Sequence, residues 1–380
     1  MTRAVITGTG LYTPPHAIDN ATLVDAFNTW VDDENRRHAE AIARGEREPL
    51  LHSSSEFIVK ASGIHSRYVL DASGILDPER MRPRLPQRTD DEPSIQCEMG
   101  RAAALEALDR ARVAPADVDM LIVACSNLER PYPAVAVELQ AALGTRGFAF
   151  DMNVACSSAT FAIEMAANAV RSGSVKRALV VNPEICSAHL NFRDRDSHFI
   201  FGDACTALLV EDEAVAVAPS RFAILGTRLV TRYSNAIRNN AGFLNRVTDS
   251  DPLAADKLFV QEGRRVFKEV CPLVADLISA HLASLDLDGD ALSRLWLHQA
   301  NRHMNDLIAR RVLGRDPSPA QAPIILDRYA NTSSAGSIIA FHLHHDDLPD
   351  AALGVVCSFG AGYSAGSVIL RKQSAHKVNE

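Results

Sequence analysis

The feature that most limits the possible folds of this chain is an internal duplication. The segment Ala4-Val-Ile-Thr-Gly-Thr-Gly-Leu-Tyr-Thr13 aligns with Phe222-Ala-Ile-Leu-Gly-Thr-Arg-Leu-Val-Thr231, sharing Ile6 with Ile224, Gly8 with Gly226, Thr9 with Thr227, Leu11 with Leu229 and Thr13 with Thr231. Further along, Cys156-Ser-Ser-Ala159 aligns with Thr332-Ser-Ser-Ala335, and the apolar run 120–124 falls opposite 294–298. One short match arises readily by chance; three in the same order imply two halves built on one plan. The boundary is placed at Pro219-Ser-Arg221, giving halves over 1–218 and 219–380. If the halves pack about a pseudo-twofold axis, the turn carrying Cys156 looks across at the turns carrying His298 and Asn331.

Apolar runs at 4–7, 120–124, 148–151, 178–181, 206–210, 224–230, 295–297, 355–358 and 367–370 read as strands. Helical patterns fall near 95–111, 135–143, 157–172, 263–284 and 302–313, with Gly144, Gly173 and Gly314 as stop signals. Strand alternating with helix implies an α/β architecture with buried sheets. Two segments break the pattern. Residues 32–49 are highly charged and read as an inserted solvated helix and loop; residues 71–93 are rich in Pro, Arg and Asp. Surface decoration is the default for both, with a cap over a pocket or an extended dimer interface as the alternative.

Composition narrows the class. A hydrophobic content of 47% supplies a large core, and no run approaches the roughly 18 apolar residues that span a bilayer. Met1-Thr-Arg3 leads straight into a strand, without a signal-peptide pattern, so a cytoplasmic location is expected. Seven cysteines without a C-x-x-C pair suggest reduced thiols and no metal site. The net charge of −8 argues against a general binder of nucleic acid or anionic membranes.

Three residues carry candidate chemistry. Cys156 lies in Asp151-Met-Asn-Val-Ala-Cys-Ser-Ser-Ala-Thr160, where a strand-like segment turns into a small-residue helix. Backbone N–H groups at a helix N-terminus carry partial positive charge, so the thiolate there is expected to be stabilised and the pKa lowered. A buried core cysteine is the ordinary alternative; the facing turns favour the reactive one. His298 follows Leu295-Trp-Leu297 in His298-Gln-Ala-Asn301, where a strand stops, a place that carries function in α/β proteins. Asn331, in Tyr329-Ala-Asn-Thr-Ser-Ser-Ala-Gly336, suits a turn or helix cap when taken alone.

Cys156 in Val-Ala-Cys-Ser-Ser, His298 in His-Gln-Ala-Asn, Asn331 in Asn-Thr-Ser and the tail Phe359-Gly-Ala-Gly-Tyr363 together resemble β-ketoacyl-acyl-carrier-protein synthase III, of the thiolase superfamily. The likeness covers nearly the whole chain, from Gly8-Thr-Gly10 through Ser62-Gly-Ile64 and Phe201-Gly-Asp203 to Gly366-Ser-Val-Ile-Leu-Arg371. It implies a five-layered αβαβα body from two βαβαβαββ halves. It also implies a decarboxylating Claisen condensation of an acyl-CoA primer with malonyl-acyl carrier protein, in fatty acid biosynthesis, through an acyl-Cys156 intermediate. On that resemblance His298 and Asn331 donate to the enolate oxygen, and the backbone N–H groups of Cys156 and Ala361 form a second oxyanion hole. No cofactor is implied beyond coenzyme A thioesters as substrates.

The same resemblance places other residues. Phe57 stands where the family has a Trp, and with Arg195 it would sandwich the adenine of coenzyme A; Ala61 replaces a family arginine. Lys268, Arg302 and Arg310 correspond to a basic docking patch for the acidic carrier protein, one docking arginine being replaced by His303; plain solvation is the alternative for such residues. Tyr132 stands where a family phenylalanine reaches into a partner's acyl pocket, implying a homodimer, and Phe201 lines that pocket. Primer length, branching and the form of the malonyl donor stay open. A type III polyketide-like or secondary-metabolite synthase with another acceptor shares the Cys-His-Asn set, although Ala361 stands where type III polyketide synthases have a proline. A non-catalytic acyl-carrier-binding subunit would have no use for that set.

Overall fold

The computed structural model describes residues 3–251 and 254–374. Its organisation starts with β1 (Ala4–Tyr12), whose apolar residues are buried on both faces. Gly8 and Gly10 let a helix approach unusually closely: a Cβ on either would lie 2.0 Å from a backbone oxygen of α4 (Ile95–Ala111), that of Ala107 or Ala103. This close packing accounts for the Gly-x-Gly spelling of the strand. The equivalent strand of the second half is β8 (Ser220–Ser234).

β1 and β8 pair antiparallel, with Val5 opposite Ala223 and Ile6 opposite Phe222. Val5 and Ala223 are the aligned residues of the duplication, so the pseudo-twofold axis passes between them. On one side of that pair follow β7 (Ala204–Asp212), β6 (Arg177–Glu184), β4 (Met120–Ala124) and β5 (Phe148–Met152); on the other follow β13 (Gly362–Ser374), β12 (Leu353–Gly360) and β11 (Leu292–Leu297). β4 runs parallel to β5 and β6, and β11 runs parallel to β12. The place corresponding to β5 is taken by an irregular segment, where Leu295 N–H donates to Gln321 O at 2.7 Å.

Helices complete five layers. α6 (Ser158–Arg171) and α10 (Ala335–Leu343) lie between the two half-sheets, where Ala159, Ile163, Ala166, Ile338 and Phe341 share one apolar cluster with strands of both halves. α4 and α5 (Val135–Leu143) cover the first half-sheet from outside. α7 (Gly263–Ala283) and α8 (Arg302–Leu313) cover the second. Small residues such as Ala162, Ala166 and Ala167 suit α6 to a layer buried on both sides. These layers match the five-layered α/β body that the resemblance implies. Among the described residues, no helix is long and apolar enough to cross a membrane.

Of the two irregular segments, 32–49 is the surface decoration expected, with no residue buried, whereas 71–93 is more integrated. α1 (Asn20–Arg37) buries Leu23, Phe27 and Val31 before it enters 32–49, and α2 (Ala39–Ala43) and α3 (Ser55–Ser62) follow it. The Asn35 side chain holds the return, donating to Leu50 O at 2.9 Å and accepting from Leu50 N–H at 2.8 Å. In 71–93, the Asp71 carboxylate accepts from the N–H groups of Ser73, Gly74 and Arg84, while Ile75 and Met81 are buried. Two small ribbons lie outside the main sheet: β2 (His16–Asp19) with β3 (Ser66–Val69), and β9 (Ile237–Asn239) with β10 (Phe259–Gln261).

Candidate active site

Cys156 is presented by the turn between β5 and α6. Ala155 holds a left-handed backbone, φ 48°, which costs a non-glycine residue about 1 kcal/mol. Hydrogen bonds hold it there: Ala155 N–H donates to Asn153 Oδ1 and Val154 N–H to Ser158 Oγ, each at 2.8 Å. Gly360, at the end of β12, passes so close that a Cβ there would lie 2.9 Å from Cys156 Sγ. A side chain at that position would occupy the space over the sulfur.

His298 follows the last residue of β11, and its N–H donates to Cys357 O at 2.7 Å, prolonging the parallel ladder. The ring stands edge-on to Phe359, centroids 5.1 Å apart. Nδ1 is buried without a hydrogen-bond partner of ordinary length, and the Ser333 backbone lies near the ring and favours its protonated form. Asn331 follows α9 (Leu326–Tyr329). Its backbone bridges to the strand-like stretch at Phe201: Asn331 N–H donates to Ile200 O at 2.9 Å, and Gly202 N–H donates to Asn331 O at 3.1 Å. Asn331 Oδ1 accepts from Ser333 N–H at 2.9 Å. That bond identifies the oxygen end of the amide and leaves Nδ2 as the outward donor.

Cys156, His298 and Asn331 line one cavity of about 500 Å³. Its wall is apolar, built from Phe199, Ile200, Phe201, Ile237, Phe259 and Val266; exposed Asp196, Arg264 and His303 stand at its mouth. Phe201 and Phe259 meet edge to face at 4.6 Å. The β9–β10 ribbon, which supplies Ile237 and Phe259, had no clear signal in the sequence.

The electrostatics overturn one expectation. Cys156 was expected to have a lowered pKa, but burial pushes its thiol up to about 11. The Ser333 side chain and the backbone N–H groups of Ala361 and Cys156 favour the thiolate, and the Glu184 charge opposes it. Cys156 is partly accessible, but only toward the cavity, and desolvation by the surrounding protein outweighs the helix terminus. Burial also lowers His298 to about 4, so its imidazole is neutral near pH 7. Ser333 and Glu184 are site neighbours that the sequence reading missed; a carboxylate closing the apolar strand 177–184 was the available signal.

Other anticipated residues are placed less simply. Arg195 lies directly over Phe57, its guanidinium carbon 4.2 Å from the ring centroid, and its Nε donates to His52 O at 2.7 Å. The two thus stack on each other, with no gap between them for an adenine. Tyr132 is 77% exposed and lies outside the lining of this chain's own cavity, whereas Phe201 lines it. Lys268 is exposed on α7; Arg302 and Arg310 on α8 pair with Asp306 and Asp316. The basic patch is therefore partly neutralised by the chain's own acids. Ala361 sits between β12 and β13, its backbone directed at the thiol. Among the described residues, no group of three or more His, Cys, Asp or Glu could hold a metal ion.

Comparison with known proteins agrees with this layout. Two family models, described as 3-oxoacyl-[acyl-carrier-protein (ACP)] synthase III and its C-terminal part, match residues 150–231 and 282–372. A β-ketodecanoyl-[acyl-carrier-protein] synthase from Pseudomonas aeruginosa is 62% identical, covering 92% of this chain and 100% of that protein. A β-ketoacyl-[acyl-carrier-protein] synthase III from Rhizobium meliloti is 31% identical over 86% of this chain and 93% of its own. The crystal structure of 3-oxoacyl-[acyl-carrier-protein] synthase III from Aquifex aeolicus VF5 shares the fold, with a TM-score of 0.74 at 23% identity over 98% of this chain and 100% of that one.

Proposed function

This chain belongs to the 3-oxoacyl-[acyl-carrier-protein] synthase III family, and from that premise we propose that it joins an eight-carbon acyl-CoA primer to malonyl-acyl carrier protein. The reaction class, a decarboxylating Claisen condensation by an acyltransferase of fatty acid biosynthesis, follows from the family. The primer length follows from carbon count: the 62% identical relative is named for a ten-carbon β-ketoacyl product, and malonate contributes two of those carbons. An apolar cavity beside the thiol supports a primer of that size.

The carrying observation is that sulfur, imidazole and carboxamide share one cavity. Cys156 Sγ attacks the acyl thioester, and its proton leaves with the coenzyme A sulfur. Because the resting thiol is neutral, charge appears only as the bond forms, where the N–H groups of Cys156 and Ala361 can stabilise the oxyanion. The malonyl thioester then loses CO2. Its enolate oxygen takes hydrogen bonds from His298 Nε2–H and Asn331 Nδ2–H, donors of a kind worth about 3 kcal/mol each. The enolate carbon attacks the acyl-Cys156 carbonyl, and the expelled thiolate regains a proton. A histidine kept neutral by burial can donate without bringing a full charge to the site.

On this reading the chain acts as a homodimer. β5 is the outermost strand of the sheet, with Phe148 and Phe150 exposed, an arrangement that invites pairing. Tyr132 lies in the loop tied to β5 through the Val135 and Ala136 N–H groups, which donate to Asp151 at 2.8 Å. Its 77% exposure supports a contact with a second copy. Opening of the Arg195–Phe57 stack would be required before an adenine could bind there.

Whole-protein mass spectrometry after mixing with acyl-CoAs of two to twelve carbons tests the proposal. The expected result is a mass gain greatest with the eight-carbon donor and absent in Cys156→Ser. No gain with any donor would refute the acyl-enzyme, and a preference for acetyl would refute the chain length.

A further inference from the structure

Glu184 takes no part in the chemistry described above, yet it is 1% exposed at the end of β6, between the two reactive turns. Four N–H and O–H donors converge on its carboxylate, and the Cys186 thiol adds a weaker one at 3.9 Å from Oε2. Ser126 N–H lies 3.0 Å from Oε1 and Ser126 Oγ lies 2.5 Å from Oε2; Ser334 N–H lies 3.1 Å from Oε1, with Ser334 Oγ also donating to it. An ionised carboxylate has about four acceptor positions and no donor, so this ring of donors matches its capacity.

The two serines belong to different halves. Ser334 closes the turn 331–334, in which Asn331 Oδ1 accepts from Ser333 N–H and Ser333 holds φ 49°. The Ser333 hydroxyl makes no hydrogen bond of ordinary length, but it stands near enough to the Cys156 thiol to favour its ionised form. On the other side, Ser126 O accepts from Asn153 Nδ2 at 2.8 Å, and Asn153 Oδ1 accepts from Ala155 N–H, next to Cys156. Each arm therefore ends on a left-handed non-glycine residue, which persists only when its surroundings hold it.

We propose that Glu184 is a positioning residue that ties the nucleophile turn of the first half to the donor turn of the second, setting Cys156 against Asn331. A neutral amide in its place would present an NH2 group to serine N–H groups and leave part of the ring unpartnered. The inference rests on the proposed condensation for its reaction readouts, but alkylation of Cys156 by iodoacetamide needs no substrate and tests the placement separately.

The experiment uses the full chain with Glu184→Gln, Ser126→Ala and Ser334→Ala. Rates of Cys156 alkylation against pH, of acylation by octanoyl-CoA and of malonyl-thioester decarboxylation are measured on each, with melting temperatures. Glu184→Gln is expected to slow condensation by about 100-fold, the scale of a small misplacement. Losing a nearby negative charge should also move the alkylation midpoint down by about one pH unit. Ser334→Ala should slow decarboxylation more than acylation, and Ser126→Ala the reverse. The proposal is overturned if Glu184→Gln leaves both rates and the alkylation profile unchanged. It is equally overturned if the two serine variants slow both partial reactions in the same proportion, as general loosening would. If Glu184→Gln does not fold, the opposite biases of the serine variants decide it. A wild-type chain that alkylates but never acylates would refute the functional reading and leave the alkylation test standing.

Discussion

The turns at Cys156 and at Thr332 occupy equivalent places in the two halves and share the spelling Ser-Ser-Ala after the first residue, yet they do different work. The first follows a regular strand, β5, and enters the fourteen-residue α6. The second follows an irregular stretch and short α9 and enters the nine-residue α10. At the nucleophile's equivalent position, Thr332 has its hydroxyl buried without a partner, and the polar group offered to the cavity comes from the preceding residue, Asn331. On the proposed mechanism, a one-residue difference in what each turn exposes divides one scaffold into an attacking side and a stabilising side.

The division can be attacked from either side. The largest effect is expected for Cys156→Ser: the acyl adduct and condensation should both vanish, while decarboxylation of a malonyl thioester, which depends on the other turn, should persist. Asn331→Ala should do the converse, lowering decarboxylation about 10²- to 10³-fold while the octanoyl adduct still forms. If each variant abolished both partial reactions, the division of labour would be wrong. A smaller effect concerns ionisation. With the thiol at about 11, the rate of Cys156 alkylation by iodoacetamide should keep climbing from pH 8 through pH 10; a plateau near pH 7 would mean that the helix terminus prevails over burial.

The smallest expected effect is on stability. His189, His198 and His298 are all held near 4 by burial, against about 6.5 in an unfolded chain. Between those values the unfolded state binds more protons, so stability should fall as pH drops from 6.5 toward 4. Asp203, raised to about 6 by burial, acts in the opposite sense below pH 6, and burial also raises Asp151, Glu184 and Glu211. Against these four carboxylates stand, among the described residues, seven histidines lowered by burial, His281, His342, His344 and His345 joining the three above. A melting temperature that rises on acidification from pH 7 to 5 would contradict this balance.

Much of this was legible before any coordinates. The helices 95–111, 135–143 and 302–313 match observed elements end to end, and the stops at Gly144 and Gly314 adopt left-handed backbone; Arg112, which gives no stop signal in the sequence, does the same after the first. α1 was obscured because the charged run 32–37 hides an apolar stripe at Leu23, Phe27 and Val31, spaced four residues apart. That Cys156, His298 and Asn331 meet in one cavity was legible through motifs, but the sign of the Cys156 shift was not. A sequence shows that a residue precedes a helix; it does not show how completely Gly360 and its neighbours enclose the sulfur. The Arg195–Phe57 stack was hidden for a related reason: the residues were correctly associated, yet their separation in space is a matter of side-chain placement.

The strand pairing at Val5 and Ala223 has an implication for origin. Because aligned residues meet across the axis, a half-length polypeptide could form that same junction with its own twin, giving a symmetric particle with two identical loops opposed. Covalent fusion removes the requirement that both loops stay alike. Each is then free to specialise, one toward a sulfur and the other toward an amide.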